Sequence, residues 1–163
     1  MIPGLLQTKE YATAVLSTVI DFRRIPDDAD EGAQARLEHQ RVLSDEDRRF
    51  HIVVGEQALH TNVGGTEVMA EQLQRLLDLL KFPHLRLGIV PRDAPYRVPL
   101  HNGFWILDDT LVQFETYTAE LSLIRPDEIS LHARAFERLA ALAAYGTEVR
   151  AMIDAATSQS QQI

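Results

Sequence analysis

The chain has 163 residues, 45% of them apolar and 25% charged, and it carries 24 acidic side chains against 16 Lys and Arg for a formal charge of −8. That size supports one sizeable core, and the acid is spread over clusters such as Asp27 to Glu31 and Ser44 to Asp47 with no Lys/Arg stripe, which argues against direct nucleic-acid binding. The absence of cysteine excludes disulfides, thiolate metal sites and a Cys nucleophile. No apolar run approaches the ~18 residues that span a bilayer, and no basic start followed by an apolar stretch suggests secretion, so a cytoplasmic protein with no membrane association is expected.

In chain order, Ile2 to Leu6 is apolar and interrupted by Pro3 and Gly4, which predicts an extended segment lying on the core. Thr8 is placed to cap a helix whose Tyr11, Ala12, Val15, Leu16, Val19 and Ile20 form one apolar stripe. An acidic loop then leads to a second helix, from about Asp30 to Leu43, with a thin apolar side of Ala33, Leu37 and Leu43. Phe50 to Val54 is β-branched and ends at Gly55, which predicts a strand. Glu56 to His60 suits a single helical turn. After the Gly64-Gly65 break, Thr66 is expected to cap a long helix with Val68, Met69, Leu73, Leu76, Leu77 and Leu80 on one face, ending before Pro83.

Three apolar runs follow, and the rest of the chain is expected to flank them. Leu85, Leu87 and Ile89 alternate with Arg86, Gly88 and Val90, as in a half-buried strand. Pro91, Pro95 and Pro99 make residues 91 to 102 a long loop, of the kind that often carries function. Gly103 to Leu107 and Leu111 to Thr116 read as a hairpin about Asp108-Asp109, and Glu120 to Ile124 as a last strand. A helix from Pro126 bears Ile129, Ala133, Phe136, Leu139, Ala140 and Ala143 on one face; Gly146 suits a left-handed stop, and Thr147 opens a short helix to about Ala156. The expected architecture is a single α+β domain over residues 1 to 156, an antiparallel sheet of about four or five strands flanked by amphipathic helices, with a polar, fraying tail at 157 to 163.

No motif specifies a reaction. Phosphate loops, HExxH, GxSxG and dinucleotide-type glycine patterns are all missing, and the histidines at 39, 51, 60, 84, 101 and 132 lack ligand spacing, so neither a metal nor a cofactor is expected. The Gly64-Gly65 pair before a helix reads as a turn before it reads as an anion cradle.

The candidate site residues are therefore chosen by position. Glu56 and His60 are four apart, so a helical turn puts carboxylate and imidazole on one face, either as an acid/base pair or as local helix support. His101 ends the Pro-rich loop beside Phe104-Trp105, which could wall a pocket or simply be a solvated loop next to a packing tryptophan. Glu115 shares a side of its strand with Gln113, opposite Phe114, and is a binding or base candidate on a concave face, or the polar half of an alternating strand on a wet one. Arg36, Glu38 and His39 make a polar group on the second helix that suits partner contact or a solvated face.

Several of these segments resemble one family: the poorly characterised domain that follows an Xre-type helix-turn-helix in many actinobacterial regulators. The likeness rests on the opening IPGLLQT with Tyr11-Ala12, on Ala35-Arg36-Leu37 with Gln40 and Leu43, and on Glu56 with Ala58-Leu59. It extends through Val68-Met69 with Gln72-Leu73, Gly103-Phe104 and Glu115. His39 and His60 stand where the family tends to carry arginine, and imidazole cannot supply the guanidinium fork.

The resemblance implies a sensory or protein-contact module in regulators of development and specialised metabolism, often encoded near a small partner protein, and it brings no catalytic residues. Met1 directly precedes the motif, so the expectation is either a dissected domain or a standalone member that does not bind DNA. Two functions follow. The first is a ligand- or partner-binding module, acting as a homodimer or heteromer, that recognises a small molecule or a second subunit through Arg36, His39, Glu56, His60, His101, Trp105 and Glu115. The second is a subunit of a small-molecule biosynthetic enzyme using Glu56, His60, His101 and Glu115 in a pocket between the Pro-rich loop and the sheet, since imidazole exchanges protons near neutrality where guanidinium does not.

Overall fold

A computed structural model describes residues 1–99 and 101–160. It is mixed helix and strand, an α+β chain in which two compact units are distinguished: Met1–Arg92 with the described residues from Ala144 onward, and Asp93–Ala143.

The first unit opens on a 3₁₀ turn at Gly4–Leu6, tighter than the extended run expected of Pro3-Gly4, with Ile2 and Leu6 buried. Helix α1 (Lys9–Arg23) is capped as predicted, the Thr8 side chain accepting the Tyr11 N–H at 3.2 Å. Helix α2 (Ala29–His39) ends four residues before Leu43, the last stretch being a 3₁₀ segment at Gln40–Ser44.

Strand β1 (Phe50–Gly55), the one-turn α3 (Gln57–His60), α4 (Thr66–Leu79) and β2 (Leu85–Val90) make a strand–helix–strand crossover, and β1 and β2 pair in parallel from Phe50↔Leu85 to Gly55↔Val90. One sheet face, with Ile52, Val54, Leu85, Leu87 and Ile89, joins a core with Met69, Leu73, Leu76 and Leu79 of α4 and Val149, Ile153 and Ala156 of α6 (Thr147–Ser160). Ala144, just before α6, bridges Ile89 on the far edge of β2.

The second unit holds an antiparallel meander of β3 (Phe104–Leu107), β4 (Leu111–Glu115) and β5 (Glu120–Leu123), followed by α5 (Pro126–Ala140). Asp108 and Asp109 both have positive φ, 49° and 55°, at the centre of a turn closed by the Thr110 N–H on Leu107 O at 3.0 Å, just before the Leu107↔Leu111 pair. His132 of α5 packs edge-on to Phe104 and stacks on Phe114, with ring centroids 5.0 and 6.0 Å apart, so that helix covers the Phe104/Phe114 face of the sheet.

The single sheet of four or five strands is therefore corrected to two sheets, a parallel pair and an antiparallel triplet. The misleading stretch is Leu85–Val90. Its alternation suggested a half-buried antiparallel neighbour of the later strands, yet Gly88 and Val90 are buried along with Leu85, Leu87 and Ile89, the near-continuous burial of a parallel strand.

Three helix boundaries also move. Gly65, not Thr66, occupies the N-cap of α4 at φ 93°, and Asn62 Oδ1 accepts its N–H at 3.1 Å. Helix α5 stops at Ala140, leaving Ala143 outside it and Gly146 (φ 59°) before α6 instead of at the end of α5. Helix α6 continues through Ser160, past the expected end at Ala156, while residues 161–163 of the predicted tail lie outside the described residues.

Candidate functional site

The opening motif is used up in folding. Gln72, fully buried on α4, donates from Nε2 to Leu6 O at 2.9 Å and accepts the Thr8 N–H on Oε1 at 2.8 Å. Gln40 donates to both Gly4 O (2.7 Å) and Gln7 O (2.9 Å), Gln7 donates to Ile2 O (2.8 Å), and Arg36 donates from Nη1 to Gln7 Oε1 (2.8 Å). Tyr11 Oη accepts the Ile2 N–H at 3.3 Å, and burial pushes that phenol above its ordinary value. Beyond the bonds Leu6 N–H to Pro3 O and Gln7 N–H to Gly4 O, the short apolar turn leaves backbone groups in need of partners, and three glutamines supply them while Arg36 holds the Gln7 side chain. Arg36 thus holds the N-terminal segment, whereas His39, one turn further on, is exposed.

Glu56 and His60 do meet. Glu56 follows β1 directly and donates its N–H to Val90 O at 2.9 Å, which fixes it at the carboxyl ends of both parallel strands. Its Oε2 accepts the Arg92 backbone N–H at 2.8 Å, and its Oε1 lies 3.6 Å from His60 Nε2. Both side chains are largely shielded, 19% and 25% exposed respectively. The carboxylate is aimed by backbone on one oxygen and presents the other to the imidazole, so its orientation does not depend on a flexible side-chain partner.

These two residues and Arg92 line a cavity of about 270 Å³ whose opposite wall is α6: Ala151, Met152, Ala155 and Gln159. The space is at the small end for ligand pockets and suits a fragment-sized molecule or one partner side chain. Open α/β sheets bind ligands outside the carboxyl ends of their strands, the position this cavity holds relative to β1 and β2. Sequence reasoning missed Arg92 and the α6 wall. The 151/155/159 spacing marks one helix face, but nothing local ties that face to Glu56 across nearly a hundred residues.

A recess of about 380 Å³ is lined by Lys9, Glu10, Thr13, Ala14, Asp30, Gly64 and Val68, with its three charged residues exposed and none of its lining from β1, β2 or the residues just after them. Among the described residues no group of three or more His, Asp or Glu could hold a metal ion.

The other candidates fall in the second unit and contribute nothing to the cavity lining. His101 is exposed. Trp105 sits opposite Gln113 and is 37% exposed. Glu115 is exposed on the same face as Gln113, away from Phe114, and is directly across from Glu120; the Asn102 side chain donates to its carbonyl at 2.8 Å.

A further cluster joins residues far apart in the sequence. His51 and Arg86 are register partners on β1 and β2, the His51 Nε2 is 2.9 Å from Tyr145 Oη, and the Arg86 guanidinium lies 4.2 Å over the Tyr145 ring. Burial, and then the Arg86 charge, hold the His51 imidazole below its ordinary value. The unfolded chain therefore takes up a proton here before the folded one does as the pH drops through about 6.5. His51 thus lowers stability progressively from that point down to its folded value, and the effect levels off below it. Urea titrations between pH 7.5 and pH 5 should show a shallower loss of stability in His51→Gln than in the parent, and parallel curves would show that His51 is not responsible.

No described helix is long and apolar enough to cross a membrane. No curated protein and no solved structure matches the chain. The family model for the domain of unknown function DUF5753 does match, over residues 1–155, and so takes in the N-terminal network, the cavity lining except Gln159, and the antiparallel sheet. The chain belongs to the DUF5753 family.

Proposed function

We propose that this chain is a binding module of the kind that follows Xre-type helix-turn-helix segments in actinobacterial regulators, and that it recognises a small ligand or a single partner side chain in the Glu56–His60–Arg92 cavity. The observation that carries the reading is the aimed carboxylate. Glu56, held by the Arg92 N–H and set 3.6 Å from His60, is the point where ionisable groups converge at the carboxyl ends of the parallel strands. The family signature residues support it indirectly, because Gln40 and Gln72 are committed to backbone contacts and Arg36 to the Gln7 side chain, so they are not available to a ligand.

Ala155 gives a clean test, since it lines the cavity yet is exposed, so Ala155→Phe fills the space without disturbing the core. A metabolite library read by thermal shift should yield a ligand that raises the parent's Tm, and that shift should vanish in Ala155→Phe and shrink in Glu56→Gln. An undiminished shift in Ala155→Phe would rule the cavity out.

The approach of His60 to Glu56 also suits an acid/base pair in a biosynthetic enzyme subunit. That version requires Glu56→Gln to abolish turnover while ligand binding persists.

A further inference from the structure

The second unit leaves a sheet edge open. Strand β5 is terminal in the β3–β4–β5 order, and Glu120, Leu121 (40%), Ser122 and the following Ile124 (74%) are all exposed. The Thr116 N–H donates to Ala119 O at 2.8 Å, which makes that pair a hydrogen-bonded one. Alternation along the ladder then turns the backbone groups of Leu121 and Leu123 toward β4 and those of Glu120, Ser122 and Ile124 outward. Edge strands are ordinarily blunted by lysine, proline or a bulge. β5 has none of these at its outward positions, only Glu120 at its start, and carries exposed apolar side chains instead. Leu131 of α5, 60% exposed, adds apolar surface on the helix that covers the same sheet.

We infer that β5 pairs with β5 of a second copy of this chain, antiparallel about Ser122, joining the two three-stranded sheets across a twofold axis. The occupant is a second copy because the strand is complementary to itself. Centred on Ser122, the outward groups of each strand meet, Leu121 lies opposite Leu123 of the other copy at both ends, Glu120 lies opposite Ile124, and no like charges are opposed. The neighbouring registers are poorer. Centring on Leu123 sets Leu121 against Arg125, centring on Leu121 leaves Ile124 beyond the ladder, and centring on Glu120 opposes two carboxylates.

The register gives sharp tests. Light scattering on the parent at micromolar concentration should report twice the 18.4 kDa chain mass. Ile124→Glu places like charges opposite Glu120 twice and should weaken self-association about tenfold, whereas Ile124→Lys should preserve or tighten it. The chain lacks cysteine, so in Ser122→Cys the only thiols are those on the proposed axis, where hydrogen-bonded partners lie ~5.5 Å apart at Cα, within disulfide range. Mild oxidation should convert that variant to a covalent dimer and leave Thr118→Cys, on the exposed turn, monomeric on a denaturing gel. A monomeric parent, equal behaviour of the Glu and Lys variants, or no preference for position 122 over 118 would each overturn the inference. All of these readouts are independent of the cavity.

Discussion

Replacing Gln72 by leucine is expected to destabilise the chain by about 2–3 kcal/mol, although the substitution is apolar, of similar volume and made in a fully buried position. The side chain is a bracket between α4 and the N-terminal segment: its Nε2 serves Leu6 O and its Oε1 serves the Thr8 N–H. Leucine would leave both backbone groups desolvated without partners, at about 1–3 kcal/mol each. The gain from burying extra carbon, about 1–2 kcal/mol, does not offset that. Urea denaturation should show the midpoint falling with little change in slope, because the same core is exposed on unfolding. A loss below about 1 kcal/mol would mean that the opening turn is not held through Gln72.

Gly64→Ala should cost about 2–4 kcal/mol, from a left-handed backbone at φ 71° combined with overpacking. An added Cβ would stand 2.9 Å from the Ala14 Cβ and 3.0 Å from Val68 Cγ1, and the Ala14 carbon belongs to a helix that cannot yield by a rotamer change. Gly103 is the control. Nothing lies within 4 Å of its added Cβ, and Gly103→Ala should leave the thermal midpoint within a degree or two of the parent's. Equal effects at the two sites would remove the close approach of α1 to the Gly64 turn from the explanation. The glycine pair that a sequence reader weighs as an anion cradle is accounted for by this approach and by the N-cap that Gly65 supplies.

The parts of the fold that were legible in the sequence are those set by local physics. Thr8 as a cap, the apolar stripe of α4 and the Asp108-Asp109 hairpin each need only nearest neighbours, and each is found where the pattern puts it. Sheet topology is a different matter. Whether Leu85–Val90 joins Phe50–Gly55 or the later strands depends on a crossover through α4, and the two pairings share one alternation pattern. Arg86, the one exposed residue of the strand, and Gly88, with no side chain to reveal its burial, together mimic the alternation of a half-buried strand.

The same limit governs the site. Glu56 and His60 were readable because four residues of helix place them together, while Arg92 and the Ala151–Gln159 face come from elements that only tertiary packing brings near. Arg36 was read as a possible contact residue because charge on a helix surface looks the same in sequence whether it meets a partner or the chain's own Gln7.

The claim that the Glu56–His60–Arg92 cavity is the recognition site is tested most directly by titrating a ligand that raises the parent's Tm into isotope-labelled protein and following every backbone amide. The largest shifts should fall at Glu56, His60, Arg92, Ala151 and Ala155. Shifts confined to Asp93–Ala143, with those amides unmoved at saturation, would contradict it.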